Sequence, residues 1–339
     1  MTSLTVHAPD GVPEVVEGTD LAAALLGALG HGTGGHDLVD GDVVVVTSKV
    51  VSKSEGRVRR GDRARALADE TARVVARRGP TTIVRTHHGL TMAAAGIDAS
   101  NVELGSIVLL PVDPDASARR LRARLHELCG HVVGVVVTDT AGRAWREGQT
   151  DIAIGAAGLS VAESFAGRVD AHGNELAVTA PAVADEIAGA AELAQGKLGG
   201  RPFALLRGRA DLVLPLDDPG PGATALVRAE GGDLFGYGAR EAVVRALRGA
   251  AADQAPFGAP ATPEELAEAV DRVSAGTATT TPAQGEPATL VVRLSGEGGP
   301  HLAHLAALVV PLAYAHGWSA HRPSGTGSAV VAELRPLTP

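Results

Sequence analysis

Residues 41–57 read GDVVVVTSKVVSKSEGR, and the class of the fold turns on this stretch. Val43, Val44, Val45 and Val46 form an unbroken β-branched run, without the polar alternation of a half-solvated strand. A run of that kind is what a strand covered on both faces looks like, so residues 42–48 are read as an interior strand. Directly behind it come Thr47, Ser48, Lys49, Ser52, Lys53, Ser54, Glu55 and Arg57. The ends of interior strands are where α/β proteins place their sites. Hydroxyls that donate and ammonium groups that offset charge suit phosphate oxygens. A solvated turn accounts for the same residues equally well.

Working outward, further strands are read at residues 81–86, 106–111, 132–137 and 202–207. Helices are read at 20–29, capped by Thr19 or Asp20, and at 61–78, 116–129 and 182–195. The 61–78 helix is rich in Ala and Arg and ends at Gly79-Pro80; the 116–129 helix carries its arginines on an outer face. Strands alternating with helices and joined by Gly-rich loops give a mixed α/β, or α+β, class. The composition shifts after Gly249. Residues 250–263 and 274–287, rich in Ala, Gly, Pro and Thr, read as linkers around a short helix at 263–273. A strand (289–294), a helix (301–316) and a strand (328–334) follow. The expected division is therefore a main domain over 1–249, then a linker and a small C-terminal α/β domain over 250–339.

Of the 339 residues 45% are hydrophobic and 20% charged, enough apolar material for a sizeable core. Aromatics are only 2%, so Ala, Val and Leu must build that core. Thirty basic against 39 acidic residues give a net charge of −9, which excludes the basic footprint needed to wrap nucleic acid. A nucleotide substrate remains open, because carboxylates can hold divalent metals that bridge to phosphates. Cys129 is the single cysteine, so no intramolecular disulfide forms. The opening MTSLTVHAPDG has neither a basic nor an apolar signal region. The apolar stretch 305–315 contains Pro311 and falls short of the about 20 residues that a membrane span needs. The expectation is a soluble cytoplasmic protein without membrane contact. No G-x-G-x-x-G follows a strand, and no Walker A pattern is present; Gly196-Lys197 is followed by Leu198.

Two more polar clusters carry candidate chemistry. Asp98, Ser100 and Asn101 bring a carboxylate, a hydroxyl and an amide within four residues, which suits a hard cation or a sugar hydroxyl. An Asx-turn or helix N-cap is the commoner use of such residues. Residues 139–151 read DTAGRAWREGQTD: the 132–137 strand delivers Asp139 and Thr140 to its end, and Arg143 and Arg146 flank Trp145. Two arginines there can grip carboxylate or phosphate bidentately. The clusters together point to a metal-assisted reaction on phosphorylated, acidic small molecules, with Asp98 and Asp139 as metal ligands. His301 and His304, with His316 and His321 nearby, have a spacing that can hold zinc, but no acidic third ligand accompanies them.

Taken in order, seven blocks resemble the coenzyme F-420-0:γ-glutamyl ligase family. They are Gly11-Val12-Pro13-Glu14, residues 41–57, AGIDASNV (95–102), LLPVDPDASA (109–118), VTDTAGRAWREGQTDIAIGAAG (137–158), residues 174–194, and Asp233-Leu234-Phe235. The chain most resembles the actinobacterial members, whose ligase domain precedes a flavin-binding, nitroreductase-like domain. The resemblance implies a two-lobed ligase domain in an intertwined homodimer. It implies a GTP-dependent enzyme that joins L-glutamate, then further γ-linked glutamates, to F-420-0 through an acyl phosphate. Two divalent cations, Mn2+ or Mg2+, and K+ are implied with it. By motif, Asp98 and Asp139 are metal ligands and Thr140 belongs to a second metal. Val12, Pro13, Glu14 and Val15 fall on the first nucleotide loop, and Ser48, Lys53 and Asn101 on further GTP contacts. Gln195, Gly196 and Lys197 fall on a later nucleotide segment, where many archaeal members carry Gln or Glu in place of Lys197. A charged lysine cannot ligate a metal. Arg143, Trp145, Arg146 and Gln149 are expected to clamp substrate. Residues 250–339 make up about half of what a nitroreductase-like domain of this type needs, so no flavin is expected. Two other readings stay open: a metal-dependent nucleotide phosphohydrolase or phosphotransferase, which would release phosphate without F-420-0 and glutamate, and a GTP-binding regulatory protein, which would bind without turnover.

Overall fold

A computed structural model describes residues 3–31, 37–176, 179–283, 286–295, 299–320 and 329–337. The chain divides into two compact units, residues 1–74 with 79–227, and residues 75–78 with 228–339. The elements up to residue 227 are β1 (Thr5–His7), α1 (Leu21–His31), β2 (Val43–Thr47), α2 (Ser48–Ser54), β3 (Val58–Arg60), α3 (Arg63–Asp69), β4 (Thr71–Arg78), β5 (Thr81–Thr86), β6 (Thr91–Ala93), β7 (Ser106–Val108), α4 (Pro114–Cys129), β8 (Gly134–Gly142), β9 (Gln149–Ala157), β10 (Arg168–Val169), β11 (Glu175–Leu176), α5 (Val183–Gln195) and β12 (Phe203–Arg207). Beyond residue 227 come α6 (Ala239–Arg248), α7 (Pro263–Ser274), β13 (Ala278–Ala283), β14 (Glu286–Ser295), α8 (Gly299–Ala315), β15 (Trp318–Ala320) and β16 (Ala329–Pro336).

The valine run is the centre of a five-stranded sheet in the order β1-β12-β2-β8-β9. β2 pairs in parallel with β8, Val43 opposite Gly134 and Thr47 opposite Thr138; the other pairs are antiparallel. Val44, Val46, Val135 and Val137 face one core, which includes Leu25, Leu29, Leu121 and Leu125 of α1 and α4. Val43, Val45 and Val136 face the other, with Ile187 and Ala191 of α5. Helices on both faces explain why β2 needs no polar alternation. A smaller core of Ala66, Val84, Ala95, Ile97, Ile107 and Leu109 lies among α3, β5, β7 and the Asp98 loop. The Asp115 carboxylate of α4 accepts from the Ala156 and Ala223 N–H groups and from the Thr224 hydroxyl, so one buried acid ties α4 to β9 and to the 223–226 turn.

Three readings of the sequence change. The 61–78 helix is only α3, seven residues long and capped by the Asp62 carboxylate on Ala64 N–H, after which β4 begins. Thr71, Val74 and Val75 are β-branched, and Gly79 at φ +56° turns the chain back into β5. The arginines of α4 are not all outward: Arg122 is 4% exposed. The strand that delivers Asp139 does not end there but runs on to Gly142 and folds back as β9.

In the second unit β13, β14, β16 and β15 form an antiparallel sheet in that order. α7 and α8 share its core, with Leu266, Val270, Leu302, Leu305 and Trp318. The compositional shift after Gly249 falls inside this unit. The Arg245–Asp253 ion pair (3.0 Å) and the bond from Tyr314 OH to Ala250 O (2.6 Å) hold α6 and its sequel to the tail. β13 occupies what reads as linker. Ser328 and His321 lie outside the described residues. No described helix is long and apolar enough to cross a membrane.

Candidate active site

The polar run behind β2 is α2, which starts on the residue after the strand. Its first two residues hold two distant carboxylates. Ser48 Oγ donates to Asp139 Oδ1 at 2.9 Å, and Lys49 Nζ pairs with Asp98 Oδ2 at 2.5 Å. Asp139 arrives on β8 and Asp98 on the loop before β7, so the β2–α2 junction is what brings them together. Asp98 also makes the Asx-turn: its Oδ1 accepts from Ala99 and Ser100 N–H, and its Oδ2 accepts from Ser100 Oγ at 2.7 Å. The commoner use, the Asx-turn, is thus present in this side chain together with the Lys49 pair. Ala94 and Ala95 enter this loop at φ +51° and +55°, a left-handed conformation that costs a residue with a Cβ.

The two carboxyls have opposite tendencies. Burial works to raise that of Asp98, but the Lys49 and Ser100 hydrogen bonds and the Lys49 charge overcome it and hold the group at about 2. Burial, reinforced by the charges of Asp151 and Asp98, pushes Asp139 up to about 7 against the hydrogen bond from Ser48.

Thr140 stands opposite Asp151 in the β8–β9 ladder, one residue on from Asp139 and so on the other face. Asp151 Oδ1 accepts from Thr140 Oγ1 at 2.7 Å and Oδ2 from Thr138 Oγ1 at 3.2 Å. Lys197, just past the end of α5, places Nζ 2.9 Å from Thr140 Oγ1 and 3.5 Å from Asp151 Oδ1, and pairs with Glu192 Oε1. Burial works to lower its ammonium pKa, and the Glu192 and Asp151 carboxylates more than reverse this, so it stays charged.

Lys53 Nζ pairs with Glu14 Oε1 at 2.7 Å, which joins the 12–15 loop to α2. In that loop Val15 is buried, Val12 packs on the core, and Pro13 and Glu14 are exposed. Asn101 is exposed at φ +55°, three residues past Asp98. Gln195 is 3% exposed, yet neither end of its amide has a hydrogen-bond partner among the described residues. Buried amides are nearly always paired, so this one carries unmet bonding capacity. Gly196 follows at φ +61°, ψ 170°, a conformation open essentially to glycine alone, and it turns the chain toward Lys197.

Arg143, Trp145 and Arg146 form the exposed tip of the β8–β9 hairpin, which the Gly142–Gln149 pair closes. They share the hairpin with Asp139 but sit at its far end; Arg143 Nη2 donates to Glu147 O of the same turn at 2.8 Å. Sequence reasoning gave no role to Asp151 or Glu192, and read Lys49 as a charge for phosphate rather than as the partner of Asp98. Asp151 becomes visible only once β8 and β9 are paired in register. Among the described residues no three His, Cys, Asp or Glu side chains gather as a metal cage; His301 and His304 are exposed on α8.

A family model described as F420-0:Gamma-glutamyl ligase matches residues 11–68 and 59–208. The coenzyme F420:L-glutamate ligase of Archaeoglobus fulgidus is 41% identical over 219 residues, 59% of this chain and 85% of that protein. The enzymes of the same name from Methanothermobacter thermautotrophicus and Methanopyrus kandleri are each 38% identical over 220 residues, 59% of this chain, and are covered over 86% and 87% of their own length. The match contains Asp98, Asp139, Thr140, Asp151, Glu192 and Lys197, and the chain belongs to the F420-0:Gamma-glutamyl ligase family of amide-forming enzymes.

Proposed function

We propose that this chain joins L-glutamate to coenzyme F-420-0 with GTP as the phosphoryl donor. The observation that carries the reading is the convergence of Asp98 and Asp139 on the adjacent residues Ser48 and Lys49, inside the family match. The γ-phosphoryl group of GTP passes to the terminal carboxylate of F-420-0, which leaves GDP and an acyl phosphate. The glutamate amine then attacks the acyl carbon, the amide forms, and inorganic phosphate departs with the bonding electrons. Repeats on the γ-carboxyl of the added residue extend the chain.

Two carboxylates without a third ligand suit Mg2+ or Mn2+, which fill the remaining positions with water and phosphate oxygens. Asp98 and Asp139 would hold this cation, which would draw charge from the phosphates as the phosphoryl group moves. Ser48 fixes the orientation of Asp139, and Lys49 fixes Asp98 while adding positive charge. Lys53 and the 12–15 loop face the nucleotide in this reading, as do Asn101 and the unpaired Gln195 amide. Arg143, Arg146 and Gln149 at the hairpin tip take the substrate carboxylates.

The test is mass spectrometry of F-420-0 incubated with the protein, GTP, Mn2+ and L-glutamate. Products heavier by successive glutamyl units are expected, only when GTP is present. Asp139→Ala should abolish them and leave a soluble, folded chain. Unchanged F-420-0 beside released phosphate would replace the ligase reading with a phosphohydrolase.

A further inference from the structure

The wall formed by Thr140, Asp151 and Glu192 is built like a cation site, and its cation belongs to the chain. One hydroxyl oxygen and two carboxylates surround Lys197 Nζ, with Thr140 Oγ1 at 2.9 Å and Asp151 Oδ1 at 3.5 Å. Asp151 is buried, its side chain 5% exposed, and a buried carboxylate needs a counter-charge as well as hydrogen bonds. The Thr138 and Thr140 hydroxyls supply hydrogen bonds only. Glu192 adds a second negative group and also accepts the Asp151 N–H through Oε2 at 3.1 Å. Hard oxygens in this arrangement are what a divalent ion prefers. They cannot serve such an ion and this ammonium together: Lys197 touches all three oxygen groups, so an ion there would meet a like charge at hydrogen-bond range, whereas at the first site Lys49 touches Asp98 and Asp139 is held by the neutral Ser48 hydroxyl. The residues present therefore do not fit a second divalent cation at Thr140.

We infer that Lys197 supplies the second positive charge of the site, and that the chain binds one divalent cation, at Asp98 and Asp139, rather than two. The inference rests on the ligase reading for the identity of the first cation site. The ammonium is tethered two residues beyond the last residue of α5, so its charge stays in place at any metal concentration. Lys197 is a charge-supplying residue on the opposite face of the hairpin from Asp139.

The test counts bound Mn2+ by paramagnetic resonance during titration of the full-length chain, a readout independent of turnover. Wild type should bind one Mn2+ per chain, Lys197→Gln two, and Lys197→Arg, which keeps the charge, one. Melting temperature with Mn2+ and with a chelator guards against a folding defect. Lys197→Gln should gain more from Mn2+ than wild type does, because the ion then neutralises Asp151 and Glu192. Two Mn2+ in wild type would overturn the inference. So would a single Mn2+ in Lys197→Gln, or a variant that Mn2+ does not stabilise further. Mass spectrometry of the same samples separates the two ideas. Glutamylated product with two Mn2+ in wild type removes the inference and leaves the ligase; the expected counts without product remove the ligase and leave the inference.

Discussion

Arg122 is a buried cation, and among the described residues it has no hydrogen-bonded carboxylate. Its Nε donates to Val133 O, Nη1 to Leu216 O and Asp218 O, and Nη2 to Leu214 O and Pro215 O. The guanidinium thus fastens the 214–218 loop to α4, and Gly158 keeps no side chain because an added Cβ would lie 2.0 Å from Arg122 Nε. Arg122→Met should cost roughly 3 kcal/mol or more, since each orphaned carbonyl loses about 1–3 kcal/mol. Arg122→Lys should recover little, because one ammonium cannot span a planar fork of acceptors. Urea denaturation checks both, and a wild-type midpoint in Arg122→Lys would show that charge alone suffices. The sequence hid this residue, since an arginine on an Arg-rich helix looks like every other. Asp139 stood out as a candidate because an acid and a hydroxyl follow an apolar strand, whereas the Asp98 cluster read first as a turn; that both carboxylates converge on Ser48 and Lys49 shows only in the fold. Glu192 was not, because a carboxylate on an Ala-rich helix reads as its solvated face.

Among the elements, β2, β5, β12, α1, α4 and α5 could be read directly, from a valine run in β2, alternation in β5, an apolar run in β12, a cap on α1, Ala- and Arg-rich composition in α4 and a glycine stop after α5. β4 could not: Ala and Arg favour a helix, and only pairing with β5 makes the β-branched residues decisive. β9 was missed because its alternation depends on a partner that the sequence does not display. α1 gives the testable case. Asp20 Oδ1 accepts from Ala22 and Ala23 N–H at 3.1 Å each, as its sequence position predicts. The Ala23 N–H above all, with Arg124 and Ala22 against the effect of burial, holds the carboxyl below its ordinary value. Asp20→Ala should cost about 1 kcal/mol at neutral pH. Because the folded value is the lower one, this stability is present above the ordinary carboxylate value and is lost as pH falls through the depressed one. Urea midpoints of wild type and Asp20→Ala should therefore converge in strong acid. Asp20→Asn, a neutral cap, should lie close to wild type at neutral pH and lack this pH dependence. A constant gap between wild type and Asp20→Ala from neutral pH into acid would mean that the cap's charge contributes nothing.

Across the whole molecule, every proposed site residue falls in the first unit, as does the family match apart from residues 75–78, while the second unit carries its own core. There α7, α8 and β14 were legible and α6 was not read; β13 was missed because an edge strand with one partner keeps an exposed Thr-rich face and tolerates Pro282. The two tryptophans allow the units to be followed separately. Trp318 in the second unit is 2% exposed and donates through Nε1 to Ala261 O, whereas Trp145 in the first is 87% exposed. Emission at the blue edge of the spectrum therefore reports the second core. Leu302, 2% exposed among Leu266, Leu290 and Trp318, is a side chain whose loss should be felt only there. Leu302→Ala should destabilise that core by about 2–5 kcal/mol, the range for emptying a well-packed leucine site. The blue-edge signal should then disappear at lower urea, while glutamate addition without urea stays at the wild-type rate. Ligation that falls while the blue-edge emission remains native would give the second unit a part in the reaction. Ligation that survives until the first unit itself unfolds would place the whole reaction between α2, the β8–β9 hairpin and the end of α5.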